Sequence, residues 1–139
     1  MAGLYHSQGR YEAAEPLLVQ TLEICKTELG DRHPDTATSM NNLAGLYKSQ
    51  GRYEAAEPLY RQALEICKTE LGDRHPDTAS SLLNLAALYH QTQRSRQALT
   101  YIQQALAIYT PVLGPNHPTT QAAKSWLQVI KQALAENSE

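Results

Sequence analysis

The chain repeats itself with a period of 42 residues. Residues 2–43 and 44–85 differ at only seven aligned positions, and a third copy, residues 86–127, keeps the apolar frame while losing most surface identities. Near-identical sequences cannot each be adapted to different surroundings within one globular core, so every copy must make the same contacts with its neighbours. The period therefore predicts a solenoid of stacked units.

Composition narrows the class of partner. The chain has 139 residues with 12 basic and 14 acidic side chains, a near-neutral balance that offers no basic surface for nucleic acid. No apolar run approaches the ~18 residues of a membrane span, and the N-terminus lacks the basic and apolar segments of a secretory signal. We therefore expect a cytoplasmic protein with neither nucleic-acid nor membrane partners.

The two cysteines, Cys25 and Cys67, occupy the same repeat position, which means that they lie one period apart. Equivalent positions in adjacent repeats are separated by about one repeat translation, further than the ~7 Å limit for a disulfide. We expect both residues to be small, buried and apolar in character, without a redox or metal-binding role.

Each repeat contains two amphipathic helices. In the middle copy, apolar and small residues recur at spacings of three and four along residues 37–47, and Gly51 ends this first helix. A second apolar stripe runs along residues 56–71, and Gly72 suits the end of a helix because glycine adopts positive φ readily. No stretch alternates as a strand does, so the sequence predicts an all-α fold of about seven helices.

The segment between repeats, residues 72–78, reads as a helix end followed by a restart, and it recurs at 30–36 and, altered, at 114–120. A histidine precedes the proline in each copy, which raises the possibility of a metal site. The period places these side chains too far apart to share an ion at bonds of about 2.1 Å. We therefore expect no metal at His33, His75 and His117, and we expect His33 and His75 to bond nearby backbone groups at the helix starts.

The large and small residues of the middle copy resemble, in order and spacing, those of a tetratricopeptide repeat: Leu43, Ala44, Tyr47, Gly51, Tyr53, Ala56, Tyr60 and Ala63. The longer period, with Leu-Gly-x-x-His-Pro between units, is similar to the kinesin-light-chain-type subgroup, and residues 42–60 resemble long tandem arrays common in bacteria, cyanobacteria especially. The resemblance implies a right-handed superhelical solenoid of antiparallel helix pairs.

Given this repeat arrangement, we expect a single domain over residues 1–139. Met1 aligns with Leu43 and Leu85, so the first helix would keep only about two turns before a second helix from Tyr11 to Leu29. The last helix has no partner after it and suits a terminal cap. The expected units are a truncated repeat 1–33, repeats 34–75 and 76–117, and a capping helix 118–136.

Catalysis would require a nucleophile with a base, or paired carboxylates, converging on a pocket. The acidic residues instead recur with the helices and alternate with lysine and arginine, a pattern typical of a solvated, ion-paired surface. We therefore predict no enzyme activity, no catalytic residue and no cofactor.

In tetratricopeptide arrays the first helix of each repeat lines a concave groove. Asn42 and Asn84 share one repeat position there, and each amide carries both a donor and an acceptor, so the pair could hold the backbone of an extended peptide without reading its sequence. Alternatively, these amides cap neighbouring loops or keep the groove hydrated. The predicted peptide-binding residues are Asn41, Asn42, Lys48, Ser49, Asn84, His90 and Gln91.

The sequence thus favours a protein–protein interaction module that binds a linear peptide segment of a partner. The alternative is a structural spacer or self-assembling repeat scaffold without a groove ligand, which the near-identity of the first two repeats favours. The partner itself cannot be identified from the chain.

Self-association through the terminal helices is also expected. Leu18 and Val19 stand where the next copy has Tyr60 and Arg61, which makes the first long helix more apolar than its copy. Exposed apolar stripes tend to pack against a second apolar surface, and the last helix has such a surface around Trp126. A homo-oligomer could form symmetrically between first repeats or head-to-tail between first and last helices.

Overall fold

A computed structural model describes the backbone of residues 2–137 and the side chains of residues 12–136. Over that part of the chain the fold is all-α, with six helices and no strand, which confirms the predicted fold class. None of these described helices combines the length and the hydropathy needed to cross a membrane. The helices are α1 Ala2–Glu28, α2 Pro34–Ser49, α3 Tyr53–Leu71, α4 Pro76–Gln91, α5 Ser95–Leu113 and α6 Pro118–Asn137.

The count differs from the prediction at α1. We expected a short helix and then a second one from Tyr11, but α1 runs without interruption through Gly9. At the same repeat position Gly51 has φ +77° and turns the chain between α2 and α3. A separate helix of about two turns before Gly9 would be marginal, whereas continuing the helix adds a hydrogen bond per residue. Met1, which we aligned with Leu43, lies outside the described residues.

The segments between helix pairs form the same structure in each copy. Gly30, Gly72 and Gly114 have φ values of +105°, +103° and +95°, a region that glycine occupies without strain. The Thr36 hydroxyl donates to the carbonyl of Gly30 at 2.8 Å, and Thr78 donates to Gly72 at 2.7 Å. Both threonines are fully buried, so each hydroxyl fixes the end of one helix against the start of the next.

The chain divides into two compact units, Met1–Ile66 and Cys67–Glu139. In the first unit the small residues of the tetratricopeptide-like pattern, Ala44, Ala56 and Ala63, are all fully buried. A Cβ added to Gly45 would lie 3.7 Å from the Tyr60 hydroxyl, so α2 and α3 approach to van der Waals distance there. The large buried side chains of this unit are Leu22, Met40, Leu43, Leu46, Tyr60, Leu64 and Ile66.

In the second unit α4 packs against α5, and α5 packs against α6. Tyr109 of α5 is buried, and its hydroxyl lies 2.7 Å from the Ser80 hydroxyl of α4. Burial raises the pKa of the Tyr109 phenol, although the hydrogen bond with Ser80 opposes that shift. The other large buried side chains are Leu82, Leu85, Leu88, Tyr89, Ile102, Ile108 and Ile130.

Both cysteines are free thiols. Cys67 is buried as expected, and burial raises the pKa of its thiol. Cys25 is only half-buried, so the prediction of a buried residue was wrong there. Each sulfur also has a serine hydroxyl partner that the sequence analysis missed: Ser39 lies 3.3 Å from Cys25, and Ser81 donates to Cys67 at 3.7 Å.

Candidate binding face of the first helices

The face of α2 predicted to bind a peptide is turned away from the core of its unit. Asn42 and Ser49 are exposed, whereas Asn41 and Lys48 are half-buried. The helical repeat explains this division, because Ala37, Met40, Leu43 and Ala44 occupy the opposite side of α2 and are buried.

Asn41 and Lys48 have unusual polar environments. The amide oxygen of Asn41 is buried and has no hydrogen-bond partner among the described residues. Burial lowers the pKa of the Lys48 ammonium, and Lys48 forms no ion pair with the side chains that the structure describes. An amide acceptor and a partly desolvated cation are therefore both available on α2.

The corresponding face of the second unit is contributed by α4 and α6. Gln91 is exposed, and Asn84 and His90 are half-buried. Nδ1 of His90 is buried and, within the described part of the chain, lacks a partner. The imidazole of His90 meets the Trp126 ring edge-on, with 5.9 Å between ring centroids. This face thus combines polar groups with an aromatic ring.

Trp126 stands one period after Asn84, at the repeat position that Asn42 and Asn84 share. Val129, three residues further along α6, is 46% exposed at the position of Gly45. This repeat position therefore carries asparagine in α2 and α4 but tryptophan in α6. We assigned Trp126 to self-association only, and the 42-residue alignment was the signal that could have shown its place on this face.

His33 and His75 serve as helix caps, as predicted, and His117 does so as well. Nδ1 of His33 accepts from the backbone N–H of Asp35 at 3.0 Å, and Nδ1 of His75 accepts from that of Asp77 at the same distance. His117 makes the equivalent bond to Thr119 at 3.1 Å. Among the residues with described side chains, no group of three or more His, Cys, Asp or Glu could hold a metal ion.

Two ion pairs illustrate the charged surface. Arg52 donates to Glu15 at 2.9 Å, and Arg61 donates to Glu57 one helical turn earlier at 3.0 Å. The Arg52 guanidinium also lies 4.2 Å from the centre of the Tyr47 ring. Both arginines are exposed, so each pair contributes at most about 1 kcal/mol to stability.

The apolar surface of α1 is located differently from our expectation. Val19 is 37% exposed and Leu18 is half-buried, and among the described side chains of α1 Leu17 and Ile24 are more exposed, at 64% and 53%. Trp126 is half-buried beside His90. The sequence analysis missed Leu17 and Ile24 because it examined only the positions where the first copy differs from the second.

Comparisons with known proteins agree with this architecture. The model of the tetratricopeptide repeat family matches residues 1–69, 46–110 and 77–123. The crystal structure of BtubC (BKLC) from P. vanneervenii superposes with a TM-score of 0.84 at 28% identity, covering 96% of this chain and 54% of that one. Nearly identical TPR-like repeats from a Podosopora anserina chain assigned as a kinesin light chain give 0.85 at 28% identity, covering 96% and 64%.

The chain therefore spans between about half and two thirds of the length of these two solved structures. A search of the curated proteins found no match.

Proposed function

Because the chain belongs to the tetratricopeptide repeat family, whose members are generally protein-interaction scaffolds, we propose that it binds a linear segment of a partner protein with the first helices of its repeats. In this proposal α2, α4 and α6 supply the lining of the groove that such arrays form. The ligand is an extended peptide, and binding involves no catalytic step, cofactor or metal.

The observation that carries the proposal is the pair of buried polar atoms without partners, the amide oxygen of Asn41 and Nδ1 of His90. A buried polar group without a hydrogen bond costs about 1–3 kcal/mol, so proteins leave few of them. Both atoms belong to residues that we had predicted to face the groove. Because both atoms are buried in the free chain, each side chain would turn outward on binding, and a backbone N–H of the peptide would then donate to the amide oxygen of Asn41 and another to Nδ1 of His90.

The side chains next to Asn41 and His90 can also bind a peptide. Asn42 is exposed and Asn84 is half-buried, so both amides can exchange hydrogen bonds with a peptide backbone. The partly desolvated Lys48 would regain a stabilising partner from a carboxylate, which favours a ligand with an acidic residue. Since regular helices already hold these groups in place, binding would need little ordering of the receptor.

The test begins with an array of synthetic 15-residue peptides of varied sequence, probed with the whole chain, and continues with fluorescence anisotropy on the strongest binder. Replacing both Asn42 and Asn84 with alanine should weaken that binding by at least about tenfold, the effect of losing roughly 1.4 kcal/mol. Circular dichroism should show unchanged helicity.

Gln103→Ala with Gln104→Ala is the matched control, because both glutamines are exposed on the second helix of a repeat. This control should bind as the wild type does. If the asparagine variant keeps full affinity, or if no peptide binds the wild type, the proposal is wrong. The cytoplasm is the compartment that we propose, since the free thiols Cys25 and Cys67 suit a reducing environment.

A further inference from the structure

One isoleucine has very different surroundings in different copies of the repeat. Ile24, Ile66 and Ile108 share a repeat position, yet Ile24 is 53% exposed while the other two are 5% and 7% exposed. Leu17 of α1 is likewise 64% exposed, whereas its copy Leu59 is half-buried. The side chains are chemically alike, so the difference lies in what covers them.

The first unit shows what covers this face on α3. A cavity of about 470 Å³ has one wall formed by α3 and another formed by Lys26 of α1 and Met40 of α2. The face of α3 that carries Ile66 therefore lies over a groove between α1 and α2. The α3 residues that line it are Arg61, Gln62, Glu65 and Ile66, and their copies on α1 are Val19, Gln20, Glu23 and Ile24.

The second unit contains the equivalent groove without a helix over it. Thr110 of α5 and Lys124 of α6 are the copies of Lys26 and Met40, two periods later. Both line an open groove of about 410 Å³ between α5 and α6, which we call the α5–α6 groove. Its other lining residues are Leu106, Gln121, Ser125, Leu127 and Gln128.

We propose that the α5–α6 groove of one copy of this chain receives α1 of a second copy, in a head-to-tail contact. Ile24 of the second copy would take the place that Ile66 has over the groove between α1 and α2. The contact uses the exposed face of α1, defined here by the copies of the α3 residues that line the cavity: Val19, Gln20, Glu23 and Ile24. It is independent of the peptide binding proposed above.

Charge complementarity selects a second copy as the occupant. In the first unit Glu65 lines its cavity together with the cations Lys26 and Arg32, whose copies two periods later, Thr110 and Asn116, are uncharged. Lys124 stands at the place of Met40 and is the only charged residue among those that line the α5–α6 groove, so Glu23 of the second copy would face it. At the position where α3 has Arg61, α1 has Val19, so no second cation approaches Lys124. The α5–α6 groove thus keeps one cation to pair with Glu23, and Val19 adds no opposing charge.

A contact between two different surfaces does not close on itself unless its rotation happens to form a ring. Each added copy leaves one exposed α1 face and one open α5–α6 groove. Mass should therefore grow continuously with concentration instead of reaching a plateau at the dimer.

The first experiment is light scattering on the whole chain from about 10 μM to about 1 mM at low ionic strength. Ile24→Glu should weaken association by ~10- to 100-fold, as expected for losing one buried aliphatic side chain. Val112→Glu is the matched control, because Val112 is 49% exposed but does not line the α5–α6 groove. Circular dichroism should give the same helicity for both variants.

The second experiment exchanges the charges. Glu23→Lys and Lys124→Glu should each associate about tenfold more weakly than the wild type, because like charges then meet at every contact. An equimolar mixture of the two variants should recover association, since every contact between unlike copies again pairs a lysine with a glutamate.

Three results would overturn the proposal. A wild type that stays monomeric throughout the series would mean that this face awaits a different occupant, such as a preceding repeat. Recovery that fails in the mixture while Ile24→Glu still disrupts association would indicate a symmetric contact between α1 helices. Association of Ile24→Glu equal to that of Val112→Glu would exclude the α1 face altogether.

Discussion

The three threonines at one repeat position allow a sharp test of the segments between helices. Thr36, Thr78 and Thr120 lie one period apart and are all fully buried. The hydroxyls of Thr36 and Thr78 donate to the carbonyls of Gly30 and Gly72, but the Thr120 hydroxyl has no partner among the described residues. Replacing each threonine by valine keeps the shape and removes only the hydroxyl.

The expected effects have opposite signs. Thr78→Val removes a bond of 2.7 Å and leaves the carbonyl of Gly72 with only the backbone N–H of His75 at 3.5 Å, so it should cost about 1–2 kcal/mol. Thr120→Val removes a buried hydroxyl that already lacks its bond, so it should be neutral or stabilise by about 1 kcal/mol. The two variants should therefore differ by about 1–3 kcal/mol.

The assay is urea unfolding followed by circular dichroism, supported by thermal melts. With about 3–5 °C per kcal/mol for a chain of this size, the two variants should melt roughly 3–15 °C apart, with the wild type between them or level with Thr120→Val. Thr36→Val should behave like Thr78→Val, because it removes the same bond in the first unit. Equal destabilisation by Thr78→Val and Thr120→Val would refute the reasoning, since it would assign the effect to packing alone.

The architecture was predictable because its determinants are local and repeated. The spacing of apolar residues indicated the buried side of each helix. Residues 30–36 and 72–78 were expected to hold a helix end and a restart, and the structure begins α2 and α4 there. The histidine caps were predictable for the same reason, because a cap bonds to a backbone N–H only two residues away, as His33 and His75 do. Such features need no knowledge of distant contacts.

The errors arose where a distant contact decides the outcome. Gly9 and Gly51 are the same residue in the same local sequence, yet one lies within a helix and the other turns the chain. A turn persists only when the helix before it has enough residues to pack back on its partner, and a local pattern does not contain that information. The exposure of Ile24 has the same origin, because its copies differ in their coverage and not in their chemistry.

The candidate site was predictable in outline only. The helical periodicity correctly predicted that Asn42 and Ser49 face away from the core. It could not show which polar atoms lack a hydrogen-bond partner. That property depends on the atoms around each side chain, as the buried oxygen of Asn41 and Nδ1 of His90 illustrate. Binding of a peptide at these residues stays a prediction for the experiments above.

Two further predictions concern stability. Ala56→Leu should cost about 1–3 kcal/mol because Ala56 is fully buried at a helix crossing, whereas Ala107→Leu on an exposed helix surface should change the melting temperature little; equal melts would mean that the helix packing is wrong. Stability should also decline with rising alkalinity, because burial raises the pKa of Tyr60 above its ordinary value of 10.0. Above pH 10 an unfolded tyrosine loses its proton while the folded Tyr60 keeps it, so the folded state binds more protons and unfolding becomes more favourable as pH rises. Tyr60→Phe cannot ionise, and its free energy of unfolding, measured in urea from pH 8 to pH 11, should therefore fall less steeply than that of the wild type. Parallel curves for the two proteins would show that burial of this phenol does not contribute to the alkaline loss.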